Sequence, residues 1–337
     1  MTTTANTITG PQYGTSRDMP WNVMGTELTG KAHTSLDAAL AESGLDFTVR
    51  TLPVVAHDGP KGEPIAFHTL IDAEKSRAVV RPTDEGDKVV GMVGTRYTPI
   101  QNRNAFAVGA DLVGEYGAKI VGMADFRHGG ASLMVVDLMR PITVTRHGVE
   151  DTMDLNLLVK NSHDGSSALT FALLAERIAC TNALPAAIAG AQRSWKISHT
   201  PNADERVSLA VKAIKEAVGY QEKFQAVAQK MLDTDMVDAE FAKIVAGLWS
   251  VDPDAEGKVA DRKRETQAQV IDLYKNSPTL EGIRGTRWAG YNALTEYLDH
   301  FRPVKGQEDV ARAEGALDGP NVRVKANLWK MLAPAGV

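Results

Sequence analysis

The amino-acid sequence predicts an α+β fold: an antiparallel β-meander backed by helices, followed by a helical C-terminal region. Three observations carry this. Apolar residues alternate with polar ones along Met153, Leu155, Leu157 and Val159, the period of a half-buried strand. Shorter apolar runs punctuated by glycine lie between Lys88 and Leu138. After Asn202 the period becomes helical, as in Val207, Ala210, Val211, Ile214 and Val218. The expected division is an N-terminal lead-in and β-hairpin region over 1–85, a central α+β core over 86–200 and a helical region over 201–337.

Taken in order, residues 1 to about 34 read as a lead-in anchored by Trp21. Ser35 is placed to cap a short helix that Gly44 stops. Phe47–Val55 reads as a strand and Ile65–Ile71 as its partner, across a turn around Asp58-Gly59-Pro60. Lys88–Val93 is a further strand. Asn102 is read as the cap of a helix carrying Ala105, Phe106, Val108, Leu112 and Val113 on one face, with Gly117 as its stop. Ile120–Ala124 and Ala131–Leu138 form a hairpin around Gly129-Gly130, and Met153–Lys160 follows a turn at Arg146-His147-Gly148. Ala168–Leu174 suits a covered strand or the start of a helix; the strand is preferred, with a helix beginning near Thr181. Helices are then expected over Ala203–Gly219, Phe224–Leu232, Asp235–Leu248, Arg262–Tyr274, Thr286–Phe301 and Val322–Leu332, with Asp252–Asp261 as a charged connector.

With 337 residues, 43% hydrophobic and 23% charged, the chain can bury a large core and is not a disordered protein. Its single cysteine excludes an internal disulfide framework and any cysteine-based zinc cluster, and suits a reducing cytoplasm. No apolar run reaches membrane-spanning length and Met1–Asp18 lacks an apolar signal segment, so the expected location is the cytoplasm of the host cell. A net charge of −5 argues against coating nucleic acid by bulk attraction. Local charge differs: Arg177 to Thr200 contains no Asp or Glu but has Arg177, Arg193 and Lys196, and Pro320 to Val337 is also acid-free. Such patches are solvated surface or the walls of a phosphate groove.

The chemical focus is the polar loop Lys160-Asn161-Ser162-His163-Asp164-Gly165-Ser166-Ser167, delivered by the alternating strand. Its mixture of donors and acceptors suits a polar or anionic ligand. The structural alternative is an Asx-type turn in which Asn161 and Asp164 bond their own backbone and Gly165 supplies a positive φ. His163 with Cys180 has no orienting third group at a diagnostic spacing, and a buried cysteine behaves as a small hydrophobe. Asp151, Asp154, His163 and Asp164 are too loosely spaced for a metal motif, and no phosphate-cradling GxxxxGK[ST] occurs. Arg287, Trp288, Tyr291, Tyr297 and His300 form a stripe better suited to core packing than to base stacking. In Arg193-Ser194-Trp195-Lys196, a Trp between two cations is suited to an unpaired base and its backbone, or to capping the core from a loop.

The loop motif, continued by Arg177, Cys180 and Asn182, resembles the phage- and plasmid-encoded family of unknown function usually labelled phage/plasmid-like protein. The resemblance covers nearly the whole chain. It includes Pro20-Trp21, Gly44-Leu45-Asp46-Phe47, Gly94 to Asn102, Ser198-His199-Thr200, and Tyr291-Asn292-Ala293 with Thr295-Glu296-Tyr297 and His300. It departs at Ala179-Cys180-Thr181, where valine and glutamine are commoner, and at Ala183, where threonine is usual. More distantly, the element order from Asn102 to about Gly190 is similar to the core of phage single-strand annealing proteins.

That analogy implies a non-enzymatic protein that binds single-stranded DNA and promotes annealing in recombination or replication, with no catalytic residue, metal or cofactor. Lys160, Arg177, Arg193 and Lys196 are expected to contact phosphates, Trp195 to stack, and Asn161, His163 and Asp164 to shape the loop. The expected assembly is a homo-oligomer, with a ring as the arrangement such a sheet allows. The alternatives are a metal-dependent enzyme acting on nucleic acid or nucleotides through His163 and Asp164, and a scaffold or host-interaction protein.

Overall fold

A computed structural model describes residues 33–57, 70–177, 180–183, 194–218, 221–305 and 320–334. Trp21 and Arg193 therefore lie outside the described residues, as does most of the expected turn and partner strand over 58–69. The first described helix, α1 (Leu36–Ser43), starts at Ser35, whose side chain accepts from the Ala38 N–H, and ends at Gly44 with φ 66°. Strands β1 (Arg50–His57), β2 (Leu70–Arg81) and β3 (Lys88–Gly94) form a small antiparallel sheet in that order. The hairpin is present, but β2 runs on to Arg81, with Arg50 opposite Val80. Its polar stretch from Asp72 to Arg77 hid the strand, because alternation there does not separate an apolar face.

Helix α2 (Asn102–Tyr116) is capped differently from the sequence expectation. Gln101 occupies the cap position without a capping bond, and its side-chain amide pairs instead with both backbone groups of Val49 at 2.9 Å. Asn102 turns into the interior. Its stop at Gly117, φ 67°, is as expected.

The main sheet comprises β4 (Lys119–Phe126), β5 (Ala131–Asp137), β6 (Ile142–Arg146), β7 (Val149–Ser162), β8 (Leu169–Arg177), β9 (Cys180–Ala183) and β10 (Ser194–Ile197). Its strands follow the order β10-β8-β7-β5-β4, all antiparallel, with β6 also paired to β7 and β9 to β8. The helix expected near Thr181 is instead β9: Cys180–Ala183 folds straight back on Leu174–Arg177, giving that end of β8 its backbone partners. Side chains on β7 divide by face. Met153, Leu155, Leu157 and Val159 join the large core beneath α2, whereas Leu158 joins Leu133, Val135, Ala172 and Leu174 on the other face.

Among the described residues six α-helices follow: α3 (Ala203–Val218), α4 (Gln221–Asp233), α5 (Asp238–Leu248), α6 (Lys258–Asn276), α7 (Arg287–Glu296), which continues into a π-turn at Tyr297–Phe301, and α8 (Pro320–Leu332). Trp288 and Tyr291 of α7 are wholly buried and pack with Trp329 of α8, so this aromatic stripe is core. Helix α4 lies along the edge strand β6 with three glutamines one turn apart. Gln221 donates to the Arg140 and Pro141 carbonyls and Gln225 to Thr143, while the Gln229 amide both donates to and accepts from the Thr145 backbone. One apolar cluster runs from Leu36 through the sheet to Leu332. Among the described residues no helix is long and apolar enough to cross a membrane.

Candidate functional site

At the end of β7 the chain builds a buried polar floor. The Asn161 side-chain amide donates to the Ile100 carbonyl at 2.8 Å and to Asn102 Oδ1 at 3.0 Å. Asn102 donates to the Leu45 carbonyl at 3.1 Å, and its Oδ1 lies 3.0 Å from His163 Nε2. An amide oxygen only accepts, so His163 carries its proton on Nε2. Burial, with a smaller contribution from His199, lowers the His163 pKa to about 4. The ring is therefore neutral and sits edge-on to Phe47.

The loop itself is an Asx-type turn. Asp164 Oδ1 accepts from the Ser166 N–H at 2.9 Å and from the Ser162 hydroxyl at 2.8 Å, and Gly165 has φ 77°. Asn161 takes no part in that turn. Strand β3 crosses the loop so closely that a Cβ on Gly91 would collide with the backbone of His163 and Asp164.

Above this floor opens a cleft of about 600 Å³, lined from four places in the chain: Lys75 of β2, the segment Gly94-Thr95-Arg96-Tyr97 after β3, Gly165, Ser167 and Ala168 of the loop, and Ser198-His199-Thr200 after β10. Among the described residues no carboxylate lines it, whereas Lys75 and Arg96 do, both exposed. The Tyr97 ring stacks on His199 at 4.9 Å, and its hydroxyl donates to the Ser162 carbonyl at 3.0 Å. Burial raises the Tyr97 pKa, so the phenol stays protonated. Arg206 of α3 donates to the Ser198 carbonyl and the Thr200 hydroxyl, bracing the Ser198-His199-Thr200 segment.

The residues expected to bind nucleic acid separate into groups. Lys196 and Lys160 lie in one cross-strand row, Lys196–Thr170–Lys160, on one face of the sheet and about 10 Å apart by strand spacing. Lys196 is exposed, whereas Lys160 is buried. Trp195 points to the opposite face and packs in the large core, so its ring offers no exposed stacking platform. Asn161 and His163 are buried in the floor and Asp164 shapes the turn.

Arg177, expected to contact phosphates together with Lys160 and Lys196, lies apart from both. It sits seven residues along β8 from the Lys196 row, roughly 23 Å away. Only 3% exposed, it is paired through Nε with Asp151 at 2.7 Å and donates from Nη2 to the Thr279 carbonyl at 2.6 Å. Asp151 also accepts from Trp288 Nε1 at 2.6 Å. Asp151 is therefore a joint between sheet and helices, on the order of 40 Å along β7 from His163. Among the described residues no three His, Cys, Asp or Glu side chains gather as a metal-binding group.

Sequence reasoning missed Lys75, Arg96, Tyr97, Ser167, His199 and Thr200 as cleft residues. Five of the six lie within the stretches Gly94 to Asn102, the polar loop and Ser198-His199-Thr200, and the place of these stretches in the family resemblance was the available signal. Lys75 carried none. No curated protein and no solved structure matches the chain. A family model described as domain of unknown function (DUF932) matches residues 89–326, a span that takes in most of the cleft, the main sheet and five of the six C-terminal helices in full. By that match, the chain belongs to the DUF932 family.

Proposed function

We propose that this chain is a phage- or plasmid-borne protein that binds single-stranded DNA and promotes its annealing, with no covalent chemistry and no cofactor. The observation that supports the reading is the cleft: separate segments meet to present Lys75 and Arg96, with no carboxylate in the lining among the described residues. Backbone binding works by neutralising phosphates with Lys and Arg, and a local cationic wall achieves this on a molecule of net charge −5. Lys196 extends the basic character at the β10 end, while Asn161, His163 and Asp164 hold the loop in shape. Annealing needs the strand held by its backbone with bases exposed, which an open cleft permits. Copies arranged side by side in the cytoplasm, in a ring, would continue the track. The enzyme alternative draws less support, because His163 is buried and Asp164 is engaged in its own turn.

Fluorescence anisotropy with a labelled oligothymidylate across a salt series tests this. Lys75→Ala combined with Arg96→Ala should weaken binding at least about tenfold and make the log–log salt slope shallower by about 1.4, roughly 0.7 per lost contact. No binding by the native chain at low salt, or the same affinity and slope in the variant, would refute the reading.

A further inference from the structure

Two neutral hydrogen-bonding atoms in the cleft have no partner among the described residues. His199 is 6% exposed, and its Nδ1 accepts from the Ile100 N–H at 3.4 Å, which leaves the proton on Nε2. That Nε2–H is buried and unpartnered. Stacking on Tyr97, itself tethered to the Ser162 carbonyl, keeps the ring in place. Burial lowers the His199 pKa to about 4, so its second nitrogen remains an acceptor at neutral pH. The Ser167 Oγ is likewise buried without a partner, although its backbone N–H is fixed by the Ser162 hydroxyl at 3.3 Å. Orphaned buried polar groups are rare in folded proteins and call for a ligand, water or ion.

Chemistry narrows the ligand. Two exposed cations and two neutral donors lining one cleft, with the nearest loop carboxylate already occupied by Ser162 and Ser166, suit a compact multivalent oxyanion. We propose that the cleft is a site for one phosphate group, with Lys75 and Arg96 supplying charge and His199 Nε2–H and Ser167 Oγ–H donating to its oxygens. The inference deepens the proposed function and rests on it for the natural ligand, a backbone phosphodiester. The recognition chemistry is shared with free phosphate.

The test records long-range ¹H–¹⁵N spectra of the histidine rings in the full chain, in a non-phosphate buffer at constant ionic strength. His199→Gln assigns the signal, and the His163 ring serves as an internal check of folding. Inorganic phosphate and an oligothymidylate are titrated separately. The expected result is a saturable shift of the His199 ring with each, lost in Lys75→Ala/Arg96→Ala and weakened about fivefold in Ser167→Ala, the worth of one neutral hydrogen bond. A shift with phosphate alone would keep the phosphate site and remove the polynucleotide reading. Oligonucleotide binding that leaves the His199 ring unmoved, with no phosphate effect, would overturn the site and spare the function. A response to neither ligand, with no binding by anisotropy, would remove both.

Discussion

Burial holds His163 and His199 neutral, and this ties the candidate site to the stability of the whole fold. Both have pKa values of about 4 in the folded chain against an ordinary 6.5. Below pH 6.5 the unfolded chain takes up protons that the folded chain refuses, so stability is complete above that value and is lost as pH falls toward 4. Between pH 7 and pH 5 each histidine should remove about 2 kcal/mol. Asp125 and Glu296, raised by burial, act in the opposite sense, so the comparison must be differential. Urea denaturation of the native chain and of His163→Gln should show a loss from pH 7 to pH 5 that is about 2 kcal/mol smaller in the variant. Equal losses would mean that His163 titrates normally. His163 was legible as a focal residue because it sits in a polar loop after an alternating strand. Its inward orientation was not, since that depends on Asn102 arriving from another element.

Among the elements, β6 and α4 illustrate what sequence pattern conceals. Strand β6 is only five residues long and follows a proline, and the sequence pattern leaves most of it unassigned, although the turn at Arg146-His147-Gly148 is where the sequence places it: His147 and Gly148 both have positive φ. The exposed edge of β6 would invite pairing with other chains, and α4 covers it with Gln221, Gln225 and Gln229. Replacing Gln225 and Gln229 together by Ala should cost about 2 kcal/mol in urea denaturation, about 1 kcal/mol for each amide, and should promote self-association measured by light scattering. A change under about 0.5 kcal/mol with no added scattering would show that water satisfies those groups equally well. Periodicity registers an amphipathic helix in α4, but polar glutamines look like solvent face until the strand beside them is known. The same limit applies to β9, where a segment read as helical pairs with β8 because it follows β8 immediately and supplies its missing partners.

Over the whole molecule, Asp151 joins the sheet to the helical region by accepting from both Arg177 and Trp288, within a core that runs from Leu36 to Leu332. The α+β class and the order of most elements were legible, because period-two and helical spacing are local properties. The cleft was not. Residues 75, 94–97, 165–168 and 198–200 meet only through the crossing of β3 over the loop and the pairing of β10 with β8. Arg177, the first residue of the acid-free stretch, is carried by β8 away from the end that pairs with β10. The proposed nucleic-acid site is this convergence. Hydrogen–deuterium exchange with and without a saturating oligothymidylate tests the proposal most directly: exchange should slow in 94–97, 165–168 and 198–200. Protection confined to other segments, with these three unchanged under saturation, would contradict it.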